Sequence, residues 1–246
     1  MNFDKYNSLI DLFFEQYEKQ PKGAIFLNSL KDSERNFSWE EVKSSVLKFS
    51  NEISKFIKKG DRCLLISENR PEWMIADLSI MLSGGITVPA YTTYLSRDYE
   101  YIINDCTPSV VIVSNDEQFK KIEKICEESK SIRKIFSFEK LREINKDKYS
   151  EFASLINNNI NNDINITTKL ERSDPACIIY TSGTQGNPKG VILSHGGILS
   201  NCEGGYELLK SILKKETRFL TWLPLSHSYE HAVQFIQIAV GAKVYY

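Results

Sequence analysis

Ile178-Ile179-Tyr180-Thr181-Ser182-Gly183-Thr184-Gln185-Gly186-Asn187-Pro188-Lys189-Gly190-Val191 decides how this chain is read. A strand-like apolar stretch runs into a loop of hydroxyls and glycines with a single lysine. The chain then returns to the apolar Val191-Ile192-Leu193. Such a loop suits an oligophosphate: hydroxyls and backbone N–H groups donate hydrogen bonds, glycines let the backbone come close, and lysine supplies a point charge. The spacing is not that of a Walker loop. Pro188 stands where a glycine should precede the lysine, and Gly190 follows in place of Ser or Thr.

Outward from the loop, strand and helix patterns alternate. Recurrence of Leu9, Leu12, Phe13 and Tyr17 at three and four residues predicts an amphipathic helix. A short strand at 24–27 follows. Ser38-Trp39-Glu40-Glu41 is a capping box that opens a helix running to about Lys58, with Gly60 as its stop. Cys63-Leu64-Leu65-Ile66 reads as a buried strand, and Asn69-Arg70-Pro71-Glu72 starts the next helix, apolar nearly all the way round and therefore buried. Strands at 86–89, 110–113 and 134–138 are separated by helices at 96–106 and 116–129. Beyond the loop come a strand at 190–194, a helix at 196–213, a strand at 218–222, a helix around 228–237 and a strand at 241–246. Alternation at this spacing predicts an α/β fold, a mostly parallel sheet flanked by helices. Residues 1–156 form the α/β core and 173–246 the phosphate-loop segment. The asparagine-rich stretch 157–172 reads as a linker loop.

Composition narrows the function. Thirty-one basic and 32 acidic residues leave a net charge of −1, which gives no electrostatic case for nucleic acid. The five cysteines are scattered without CxxC or Cys/His ligand spacing, so buried thiols in a reducing compartment are expected, not disulfides or zinc. His227 and His231 stand four residues apart, but no carboxylate or cysteine completes a familiar ligand set. No Gly-x-Ser-x-Gly elbow supports a hydrolase. The N-terminus lacks the basic-then-apolar order of a signal peptide, and no apolar run approaches the ~20 residues that span a bilayer, so a cytoplasmic location is expected.

Three stretches together resemble one family. Tyr-Thr-Ser-Gly-Thr-x-Gly-x-Pro-Lys-Gly-Val, at 180–191, is similar to the phosphate-binding signature of the adenylate-forming (AMP-binding) superfamily, with Gln185 where most members have a second threonine. Gly60-Asp61-Arg62 through Glu68-Asn69-Arg70-Pro71-Glu72-Trp73, then Gly84-Gly85-Ile86-Thr87-Val88-Pro89, resembles the early part of long-chain acyl-CoA synthetases, where it builds the core. Trp222-Leu223-Pro224-Leu225-Ser226-His227-Ser228-Tyr229-Glu230 resembles the superfamily's Leu-Pro-Leu-x-His segment in its long-chain form.

The resemblance implies a ligase in which ATP, with Mg²⁺, activates a fatty-acid carboxylate to an acyl-adenylate, and CoA as co-substrate takes the acyl group. Thr181, Ser182, Gly183, Thr184, Gln185, Gly186 and Lys189 would then hold the nucleotide's phosphates, Thr184 standing nearest the metal. Lys189 and His227 would be catalytic, the histidine beside the reacting carboxylate. His195 is expected to be structural and neutral, and His231 to lie on the helix surface or behind the site. Fatty-acid substrates imply transient contact with membrane surfaces, without an anchoring helix. The family's adenine, ribose and catalytic-lysine elements lie beyond the stretch that Tyr246 ends. The chain therefore reads as the N-terminal part of the family's large domain, its last strand an unpaired apolar terminus. Two alternatives stay open: a non-catalytic nucleotide- or acyl-binding fragment, and an adenylation domain that loads a carrier protein.

Overall fold

A computed structural model describes residues 1–30, 36–142, 148–157, 168–181, 188–213 and 216–246. Helix α1 (Leu9–Glu18), strands β1 (Ile25–Asn28) and β2 (Phe37–Ser38) and helix α2 (Trp39–Ser54) come first. They are followed by β3 (Arg62–Ile66), α3 (Pro71–Leu82), β4 (Ile86–Ala90), α4 (Ser96–Cys106) and β5 (Val110–Val113). Short helices α5 (Asp116–Lys120) and α6 (Glu123–Glu128) precede β6 (Lys134–Ser137), and β7 (Tyr149–Glu151) runs directly into α7 (Phe152–Ile156). The remainder is β8 (Pro175–Thr181), β9 (Lys189–Ser194), α8 (His195–Leu209), β10 (Arg218–Leu220), α9 (Ser228–Ala239) and β11 (Lys243–Tyr245).

The main sheet has seven strands in the order β7-β6-β5-β3-β4-β8-β9. Every neighbouring pair is parallel except β8 and β9, which form an antiparallel hairpin. The apolar strand runs follow from burial on both faces. Cys63 and Leu65 point into one core with α1, α2 and α3, while Leu64 and Ile66 point into a second core with α4, α5 and α6. Arg62 ties the start of β3 to the end of α4, donating to the carbonyl of Cys106 at 2.7 Å and the hydroxyl of Thr107 at 2.9 Å.

Helix α3 is the buried axis of the larger core. Pro71 occupies its first turn, where a missing N–H costs nothing. All twelve of its residues are buried, the carboxylates Glu72 and Asp77 included. Gly84 ends it with φ +82°, and a Cβ there would stand 2.7 Å from Thr168 Cγ2, so the turn requires glycine twice over.

A second sheet, β10-β11-β1-β2, is parallel apart from β2. Here the structure corrects the sequence reading. The terminal strand is not unpaired: β11 lies between β10 and β1, with Val244 opposite both Phe219 and Leu27. Its partner β1 is some two hundred residues away, so no local pattern announces the pairing. The expected single helix at 116–129 is also two helices. Buried Ile122 leaves helical geometry at φ −124° and divides them. All five cysteines are buried free thiols, as expected. No helix among the described residues is long and apolar enough to cross a membrane.

Candidate functional site

Because β8 runs parallel to β4, Thr181 emerges at the edge where β3, β4, β5 and β6 also end. In open parallel sheets this carboxyl edge is where ligands bind. Ser182, Gly183, Thr184, Gln185 and Gly186, the heart of the expected phosphate loop, lie outside the described residues, as does most of the expected linker. The loop's two ends are well placed. Thr181 and Lys189 are register partners that close the hairpin, and both side chains are exposed. Among the described residues Lys189 has no ion-pair partner, so its charge is available to an anion.

The residues flanking the loop explain its local form. The Tyr180 hydroxyl donates to Asp105 Oδ2 at 2.5 Å and anchors β8 to α4. Burial first, then the Asp105 carboxylate, hold that hydroxyl protonated far above the usual phenol range. Across the hairpin, a Cβ at Gly190 would meet Ile178 Cγ2 at 2.9 Å and the Tyr180 ring at 3.2 Å. Glycine after the lysine is therefore what lets β9 cross the tyrosine. Beside the hairpin opens a cleft of about 340 Å³, lined by Leu193 at the end of β9, Gly197 and Ile198 of α8, and Tyr229, His231 and Ala232 of α9.

His227 caps the N-terminus of α9, directly before Ser228 and Tyr229, which line this cleft. Its Nδ1 accepts from the Tyr229 N–H at 3.2 Å. The neutral ring therefore carries its proton on Nε2, a hydrogen-bond donor for whatever approaches. The turn before it is held by Asn69. That amide donates to the carbonyls of Thr221 (3.3 Å) and Leu223 (2.6 Å) and accepts from the Leu225 N–H (2.9 Å). Next to Asn69, Arg70 is fixed by Glu72 at 2.9 Å and Glu139 at 2.8 Å.

The other two histidines are buried. His195 Nδ1 accepts from the Leu9 N–H at 3.3 Å, and burial pushes its pKa down to about 4, so it is structural and neutral as expected. His231 is not at the helix surface: its Nε2 lies 2.8 Å from Asp77 Oδ2, which also accepts from Gln234 Nε2 at 2.9 Å. Burial alone would lower its basicity, but the Asp77 carboxylate raises it well above the ordinary value. The clue in the chain is Asp77 itself. A carboxylate midway along an otherwise apolar helix must find a partner. Asn69 was also missed as a contact between two of the motifs, because its partners lie about 150 residues on. No group of three or more His, Cys, Asp or Glu among the described residues is arranged to hold a metal.

The hairpin ends Thr181 and Lys189 thus stand at the carboxyl edge of a parallel sheet, beside a largely apolar cleft, where α/β domains take small-molecule ligands. Residues 13–246 match the profile of the AMP-binding enzyme family, and the chain belongs to that family. Fatty acyl-CoA synthetase A of Dictyostelium discoideum is 29% identical over 233 residues, which cover 87% of this chain and 33% of that protein. Long chain acyl-CoA synthetase 3 of Arabidopsis thaliana is 27% identical over 257 residues, covering 98% of this chain and 38% of that one. The luciferase-like enzyme from the nonluminescent Zophobas morio mealworm superposes with a TM-score of 0.84 at 22% identity, over 100% of this chain and 55% of its own. The chain thus spans about a third of the length of the curated relatives it matches.

Proposed function

We propose that this chain is the phosphate-loop and acyl-pocket portion of an ATP-dependent ligase that activates a fatty-acid carboxylate. The observation that carries this reading is the juxtaposition at the carboxyl edge: the hairpin ends Thr181 and Lys189, and β9 leading from Lys189 into the wall of an apolar cleft whose α9 lining begins at Ser228, next to His227. The names of the relatives, fatty acyl-CoA synthetases, favour the same substrate class.

In the proposed first step a carboxylate oxygen forms a bond to the α-phosphorus of ATP, and the bond to the pyrophosphate leaving group breaks. In the second step the CoA thiolate bonds to the acyl carbon and AMP departs. An anionic nucleophile meets a polyanion, so charge neutralisation and positioning supply much of the catalysis. Lys189 neutralises the outer phosphates, Thr181 adds a hydroxyl, and residues 182–186 contribute amides and hydroxyls. Thr184 would be the hydroxyl that helps hold Mg²⁺, which would supply further charge neutralisation at the phosphates. His227 donates from Nε2 to a carboxylate oxygen, and the cleft takes the start of the alkyl chain. A cytoplasmic location, with peripheral contact to membranes that carry the fatty acid, goes with this reading.

ATP–pyrophosphate exchange dependent on palmitate tests the reading. Exchange by the 246-residue chain itself would support a self-sufficient adenylating unit. Exchange confined to a longer form would make this chain a binding portion. Transfer of the acyl group to a carrier-protein thiol instead of CoA would favour the carrier-loading alternative.

A further inference from the structure

Asn69 stands just before α3, and Trp73 and Asp77, four residues apart, share one face of that helix. All three touch the segment that carries His227. Asn69 grips the backbone of Thr221, Leu223 and Leu225 through three hydrogen bonds. The Trp73 ring meets the His231 ring edge to face at 5.5 Å. Asp77 takes His231 and Gln234 on one oxygen. His227 lies between the two anchors, two residues beyond Leu225 and one helical turn before His231, whose N–H donates to the His227 carbonyl at 3.0 Å.

We propose that Asn69 and Asp77 are positioning residues for His227, acting through the backbone of 221–225 and through His231. The proposal rests on the reading of His227 as the donor to the carboxylate. Its physical basis is the contrast between anchors and anchored. Leu225, Asp77, His231 and Gln234 are fully buried, whereas His227, Ser228 and Tyr229 are exposed at the first turn of α9. An exposed helix end frays unless its neighbours are fixed. A buried carboxylate–imidazole pair adds little stability over an apolar pair of equal volume, and its best-attested use is to fix register. Here the register so fixed sets where His227 presents Nε2, and a site residue needs that support to hold productive geometry.

The chain has three histidines, so ring-¹⁵N labelling follows each imidazole separately. Asn69→Asp removes both donors while keeping the shape, and Asp77→Asn removes the charge. In each variant the ring nitrogens of His227 should shift toward averaged tautomers as the bond from Tyr229 loosens. In Asn69→Asp, His195, whose Nδ1 accepts from the Leu9 N–H, should keep its signals and report an intact fold. In the catalytically complete enzyme the same substitutions should lower kcat for fatty-acid-dependent exchange about tenfold or more, with the KM for ATP unchanged. His227 signals identical to wild type in a folded Asn69→Asp variant overturn the positioning role; that substitution decides the matter if Asp77→Asn does not fold. Absence of exchange in the wild type would instead count against the ligase reading, and the ring spectra would still decide the positioning.

Discussion

The three histidines of this chain show how surroundings divide one side chain into three tasks. His195 is neutral because burial lowers its pKa from 6.5 to about 4. Its contribution is therefore complete above pH 6.5 and is lost as the pH falls from there toward 4. The loss amounts to about 3 kcal/mol. Urea midpoints measured across that window should fall more steeply for the wild type than for His195→Asn, whose amide oxygen can replace the ring acceptor; parallel pH curves would rule out His195 as the titrating group. His231 has the opposite sign. Its pKa is raised by Asp77, so its contribution is complete below pH 6.5 and is lost only when the pH climbs through the raised value. His231→Ala should destabilise by about 3–5 kcal/mol, because it strands Asp77 in the core. Lys189 is the contrasting case. Lys189→Ala should leave the thermal midpoint nearly unchanged, within about 0.5 kcal/mol for an exposed residue. If the lysine serves the phosphates as proposed, the rate of pyrophosphate exchange should drop by orders of magnitude; an unaltered rate would remove it from the mechanism.

Among the elements, those with a local cause were legible in the chain. The capping box at Ser38 starts α2 as written, with Ser38 Oγ accepting from the Glu41 N–H and the Glu41 side chain returning to the Ser38 N–H. The apolar helix read from Glu72 to Ser83 is the buried α3 (Pro71–Leu82), and α4 spans the residues its pattern indicates. What could not be read was long-range: the pairing of β1 with β11, the grip of Asn69 on 221–225, and the buried partner of Asp77. Each joins residues about 150 or more positions apart, and neither propensity nor periodicity carries that information. The histidine that its motif singled out heads α9, and the phosphate loop's interior lies outside the described residues. Turn chemistry gives a test at this scale. Gly84→Ala should cost about 1–3 kcal/mol, since the left-handed turn after α3 disfavours a side chain. Denaturant unfolding monitored at Trp73, on the same helix, would measure it, and a cost near zero would mean the turn relaxes freely.

At the scale of the whole molecule, the sheet ends, among the described residues, on β9, where Val191 and Ile192 are both exposed. Trp222 and Tyr229 stand exposed on the α9 side. An uncovered apolar edge strand is a template for pairing with another chain. Ile192→Lys should therefore reduce self-association of the isolated chain in sedimentation velocity while changing stability little; association unaffected by the lysine would place the sticky surface elsewhere. The seating of β11 between β10 and β1 governs how the chain is made. During synthesis β1 leaves the ribosome early, yet its parallel neighbour β11 follows only some two hundred residues later. Until residue 245 emerges, β1 has only the short β2 beside it, and loop closure over that separation is entropically slow. Completion of the small sheet thus waits on a closure over some two hundred residues, and its backbone amides are the ones expected to gain exchange protection after those of the seven-stranded sheet.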